Sequence, residues 1–101
     1  MQPVEKIIAE ARAAYRILSA EEWEAVVGAS TELRVVEAAL DHKIFLRERG
    51  SELLARETSD AGEIILRVFE SEFAMNAFVQ RRVDIYERMW DGCGCKVDYY
   101  D

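Results

Sequence analysis

One proline, one histidine, two cysteines and five glycines among 101 residues set the first limits on this chain. A single histidine excludes the Glu-x-x-His pairs that a di-iron helical bundle needs on two of its helices. No Ser-His-Asp set, nucleophile elbow or phosphate-cradling glycine loop is present. A self-contained enzyme is therefore not expected. Long apolar runs are missing too: "IILRVF" at 64–69 is short and broken by Arg67, against the ~20 apolar residues that a membrane-spanning helix requires. The amino end, "MQPVEKIIAEARAAY", has neither a basic start nor a continuous apolar stretch of the signal-peptide kind. The expectation is a cytoplasmic protein whose thiols stay reduced.

Positive charge is also in short supply. Thirteen Lys and Arg face twenty Asp and Glu, for a net charge of −7, so a nucleic-acid partner would have to meet a local basic patch. The one candidate, Arg81, Arg82 and Arg88 with Arg67, is interleaved with Glu70, Glu72, Asp84 and Glu87. A solvated helix face accounts for it better, and no nucleic acid is expected as partner.

What is abundant is alanine, thirteen copies, within a composition that is half apolar and a third charged. That favours helix over an all-β design and a globular chain over a disordered one. At this length the chain forms one domain, which can bury roughly two-thirds of its unfolded surface. Val4, Ile7, Ile8, Ala11, Tyr15 and Leu18 recur at helical spacing, with Pro3 at the start. Ser19 and Glu22 have the spacing of a capping box, predicting a second short helix that carries Trp23, Val26 and Val27 to Gly28. Trp23 is expected in the core. Leu33, Val36, Leu40 and Ile44 continue a helical face, followed by a break at Gly50-Ser51. From residue 73, Met75, Phe78, Val79, Ile85, Tyr86, Met89 and Trp90 make a wide apolar face.

Residues 53–69 admit two readings. Asp60 and Glu63 can cap a long helix, or "SDAG" can close a β-hairpin in which Ile64, Leu66 and Val68 share a face. The preferred fold is mainly α: a bundle of three to four helices over 1–91, followed by an extended tail at 92–101. The alternative is α+β with a hairpin around 53–69.

The tail, "GCGCKVDYYD", holds the chemistry-bearing residues. Cys93 and Cys95, flanked by Gly92 and Gly94, can both reach one soft metal. Two such tails would supply a Cys₄ site for zinc or an iron–sulfur cluster across a dimer. A strained dithiol–disulfide pair is a further reading, and simple packing in a turn is the favoured one. His42 beside Asp41 is not a dyad on a helix, because adjacent residues there do not face each other. The functional expectation is a small non-catalytic accessory or structural subunit. It would act by protein–protein interaction, as a homo-oligomer or within a larger complex, with Trp90, Tyr99 and Tyr100 at the interface. The alternative is a thiolate metal-binding protein using Cys93 and Cys95.

Overall fold

A computed structural model of the chain describes residues 3–39 and 41–92. The order of elements is α1 (Val4–Ala13), β1 (Arg16–Leu18), α2 (Ala20–Gly28), β2 (Thr31–Ala39), β3 (His42–Arg49), β4 (Glu52–Thr58), β5 (Ile64–Phe69) and α3 (Glu72–Gly92). The strands form one antiparallel sheet in the order β1-β5-β4-β3-β2. This is an α+β fold, and the expected helical bundle is not formed.

The physical reason for that correction lies in residues 31–69. Ile44 and Leu46 are buried on one face of β3, while Phe45 and Arg47 point to the other. The spacing of Leu33, Val36, Leu40 and Ile44 thus coincides with a helical repeat inside a stretch that pairs as strands. Glycines then fix the turns. Gly50 adopts φ 62° in the two-residue connection that closes the Arg49–Glu52 pair, and Gly62 adopts φ 86° between β4 and β5. Positive φ is what tight hairpin turns demand and what glycine accepts without steric cost.

The loop at 59–63 is organised by Ser59 rather than by Asp60. The Ser59 N–H donates to the Glu63 carbonyl at 2.9 Å, and the Glu63 N–H returns to Ser59 Oγ at 3.1 Å. Of the two readings of 53–69, the hairpin is the one formed, as part of a five-stranded sheet.

α1 is also shorter than its apolar stripe predicts. Ala14, at φ −161° and ψ −67°, leaves the helical region, and Arg16–Leu18 pairs with Ile64–Leu66 of β5. Leu18 still reaches the core, now from a strand. The capping box of α2 is complete: the Glu22 N–H donates to Ser19 Oγ at 3.1 Å, and the Ser19 N–H donates to Glu22 Oε1 at 2.9 Å.

Helices cover both sheet faces. α1 and α2 bury Ile7, Ile8, Ala11 and Val26 against Leu54 and Leu66. On the opposite face α3 buries Met75, Phe78 and Val79 against Ile44, Leu46, Leu53 and Ala55. β4 therefore feeds both cores, which explains why its "LLA" run shows no alternation of polar and apolar residues. Among the described residues, no helix is long and apolar enough to cross a membrane.

Candidate functional site

Alternation along β4 places Glu57 on the α3 side of the sheet, two positions beyond Ala55. The residue is only 3% exposed, and a buried carboxylate at that depth requires partners. It has three. Arg67 Nη1, from β5, donates to Oε1 at 2.5 Å, and Arg82 Nη2, from α3, reaches the same oxygen at 3.2 Å. His42 Nε2, from the start of β3, lies 2.7 Å from Oε2. Arg82 Nε is also 2.7 Å from Oε2, as an ion-pair contact without hydrogen-bond alignment. Burial by itself would raise the Glu57 pKa. The His42 hydrogen bond and the charges of Arg82 and Arg67 outweigh it, holding the carboxyl below its ordinary range.

The network extends through the imidazole. His42 Nδ1 is 3.3 Å from the Tyr86 hydroxyl, with the two ring centroids 4.8 Å apart. A proton on Nε2 facing Glu57 leaves Nδ1 to accept from Tyr86. Both imidazole nitrogens are thus engaged inside the fold, and the unit ties β3, β4, β5 and α3 together. Asp41, the neighbour of His42 in sequence, is exposed and is not its partner. A cavity of about 230 Å³ adjoins the cluster, with Ser59, Asp60 and Ile65 among its lining.

α3 leaves part of its own sheet face open. Its Asn76 flank turns toward β2, where Arg34 Nη2 donates to Asn76 Oδ1 at 2.9 Å. The helical repeat puts Phe78 and Ile85 on the opposite flank, toward β5. There the Phe78 ring meets Phe69 at 5.4 Å. Beyond that contact Ile17 pairs with Ile65 in register, and the Arg67 guanidinium lies 5.7 Å from the Tyr15 ring. Tyr15 is 54% exposed, Ile17 47% and Ile85 42%. Arg81 and Arg88 are exposed on the solvent side of the same helix. Alternation along β1 turns Ile17 to the α3 side of the sheet, away from Leu18, so Ile17 and Ile85 are both exposed apolar residues on that side.

On the other sheet face, the Arg56 guanidinium lies over two rings, 5.1 Å from the centroid of Trp23 and 5.0 Å from that of Phe45. Trp23, expected as core, is half-buried and packs against the α1–α2 cluster while holding that cation. Arg56 Nη2 donates to Thr58 Oγ1 at 3.0 Å, and burial lowers the Arg56 pKa.

Of the residues singled out in sequence, Trp90 falls within α3, while Cys93, Cys95, Tyr99 and Tyr100 lie outside the described residues. Among the described residues no group of three or more His, Cys, Asp or Glu is arranged to hold a metal ion. Glu37 and Asp41, four apart, would share a helical face, but Glu37 belongs to β2 and stands opposite Lys43. The Glu57 cluster was missed because "ARET" resembles a solvated segment. Once the Ser59–Gly62 turn is adopted, alternation with Leu53 and Ala55 turns Glu57 inward, beside Arg67 on the next strand. No family model matches the chain, and neither a curated protein nor a solved structure matches it significantly.

Proposed function

We propose that the chain is a non-catalytic interaction subunit that seats an apolar, acidic segment of a partner protein on the uncovered strip between α3 and β1. The observation that carries this reading is the exposure of Tyr15, Ile17 and Ile85 on the α3 side of the sheet, with Arg81 and Arg88 exposed on the same helix. Isolated exposed apolar residues need no explanation, but a contiguous set rimmed by polar groups marks an interface. Charge selects the partner. In a chain of net charge −7, neither Arg81 nor Arg88 has a carboxylate within 4 Å among the described residues. Rim cations of this kind steer an acidic partner and raise its association rate more than its final affinity. The apolar floor argues for a protein segment over a nucleic acid, because a phosphate backbone would gain nothing from Ile17 and Ile85.

An array of immobilised decapeptides tests this. Three classes are compared: apolar with Asp, apolar with Lys, and polar with Asp. The full chain should be retained by the first class alone. Ile17→Ser with Ile85→Ser should weaken that retention about tenfold or more, the scale of losing two buried aliphatic contacts. Equal retention by the Asp and Lys classes, or none by any, would overturn the reading.

A further inference from the structure

We propose that the recess beside Arg56, on the sheet face opposite Glu57, is a binding site for an oxyanion, either a phosphate group or a small carboxylate. This inference concerns a different surface from the docking strip and does not depend on it.

Arg56 stands apart from the other arginines. Arg12, Arg16, Arg47, Arg49, Arg67 and Arg82 each have a carboxylate within 4 Å, while Arg34, Arg81 and Arg88 are exposed. Arg56 is half-buried and has no carboxylate at that distance among the described residues. Burial lowers its pKa, and what offsets the charge within the described fold is neutral: the Trp23 and Phe45 rings and the Thr58 hydroxyl. Its Nε is buried without an acceptor. Retaining a cation at such a place without a counter-charge is costly unless something else supplies one.

The surroundings are suited to supplying it from solution. A recess of about 450 Å³ opens beside the guanidinium, lined by Asp41, His42, Lys43, Phe45, Arg56 and Thr58. The guanidinium lies over the Trp23 and Phe45 rings, which help to fix its position while its N–H groups make hydrogen bonds. Thr58 Oγ1 accepts one of them, and its own O–H stays available as a donor. Lys43 adds a second positive charge. His42 offers no free ring nitrogen, since both are engaged with Glu57 and Tyr86. The opposing charges are Asp41, exposed in the lining, and Glu37, across from Lys43 in the β2–β3 register. Neither forms an ion pair with Arg56. A guanidinium already fixed in orientation gives up little side-chain freedom on binding, which favours a planar or tetrahedral oxyanion held by paired N–H groups.

Trp23 supplies the readout. Trp23 and Trp90 are the two tryptophans, so in a Trp90→Phe background the fluorescence reports the residue stacked on Arg56. Sodium phosphate, sodium acetate and sodium chloride are titrated at constant ionic strength. The site predicts a saturable change with phosphate or acetate, half-complete below about 10 mM, and none with chloride. Preference for phosphate assigns a phosphorylated ligand, and preference for acetate a carboxylate one. Arg56→Met, which keeps an apolar stem beside the rings, should abolish the response. Arg56→Lys should weaken it about tenfold, and Asp41→Asn should strengthen it. Ile17→Ser should leave it unchanged.

A purely structural Arg56 would give no saturation with either oxyanion, or the same response in Arg56→Met; either result overturns the proposal. If Arg56→Met fails to fold, Lys43→Gln decides. A weaker response there supports the site, and an unchanged one overturns it.

Discussion

His42 Nε2 and Glu57 Oε2 lie 2.7 Å apart although 15 residues separate them in sequence. The contact exists because β3 and β4 pair antiparallel and bring the beginning of one beside the end of the other. Arg67 and Arg82 then close on the same carboxylate from β5 and α3. Glu57 is the point where four elements meet, and its removal should be felt by all of them.

Glu57→Ala leaves two guanidinium groups partly desolvated with no counter-charge, and removing one member of a buried pair costs about 3–5 kcal/mol. Arg67 and Arg82 keep roughly a quarter of their side-chain surface in water, so a loss near 3 kcal/mol, at the lower end, is expected. Urea unfolding measures it. Glu57→Leu combined with Arg67→Met and Arg82→Met should recover most of that loss, because apolar groups of similar volume replace a buried ion network at little net cost. A triple variant no more stable than Glu57→Ala would show that the network contributes beyond its own charge balance.

Acid should expose the same group. The folded Glu57 carboxyl is held below its ordinary pKa, which is about 4.3 for an unfolded glutamate. Its stabilisation is therefore fully present above that unfolded value and is lost as pH falls through the lower, folded one. Glu22 and Glu52 are lowered as well, by the hydrogen bonds of Arg16 and Arg12 respectively, so the wild type alone cannot separate the three. The comparison is with Glu57→Gln. Thermal midpoints recorded from pH 7 to 2 should fall less steeply below pH 4.3 in the variant than in the wild type. Parallel curves would mean that Glu57 does not titrate differently in the folded and unfolded chain.

How much of this was legible in the sequence depends on how far each interaction reaches. The Ser19–Glu22 capping box spans three residues, and it formed where the spacing put it. α3 was likewise marked by its own repeat: Met75, Phe78, Val79 and Tyr86 turn inward, while Ile85 of the same set faces out. Residues 31–58 misled because "LRVVEAAL" satisfies a helical spacing and a strand alternation about equally, and pairing with β3 decided between them. The decisive partners lay in other segments. The Glu57 cluster is the extreme case, since its members come from residues 42, 57, 67 and 82. No local pattern contains them, and only the register of β4 on β5 brings Glu57 and Arg67 together.

The two turn glycines offer a contrast with Gly28 that separates backbone conformation from packing. A Cβ added at Gly50 meets nothing within 4 Å, and the same holds at Gly28, so sterics with neighbours cannot distinguish the sites. Conformation can. Gly50 sits at φ 62°, where an L side chain costs about 1–2 kcal/mol, whereas Gly28 closes α2 without a positive φ. Gly50→Ala should accordingly destabilise the fold by about 1 kcal/mol, and Gly50→Asn by less, since asparagine tolerates the left-handed region better. Gly28→Ala should stabilise it by about 0.4–1 kcal/mol, because alanine lowers the entropy of the unfolded chain at a compatible site. Chemical denaturation of the three variants measures the order directly. If Gly50→Ala were as stable as the wild type, the β3–β4 turn would have to adopt another conformation in solution, and the Arg49–Glu52 register that aligns Glu57 with His42 would be in question.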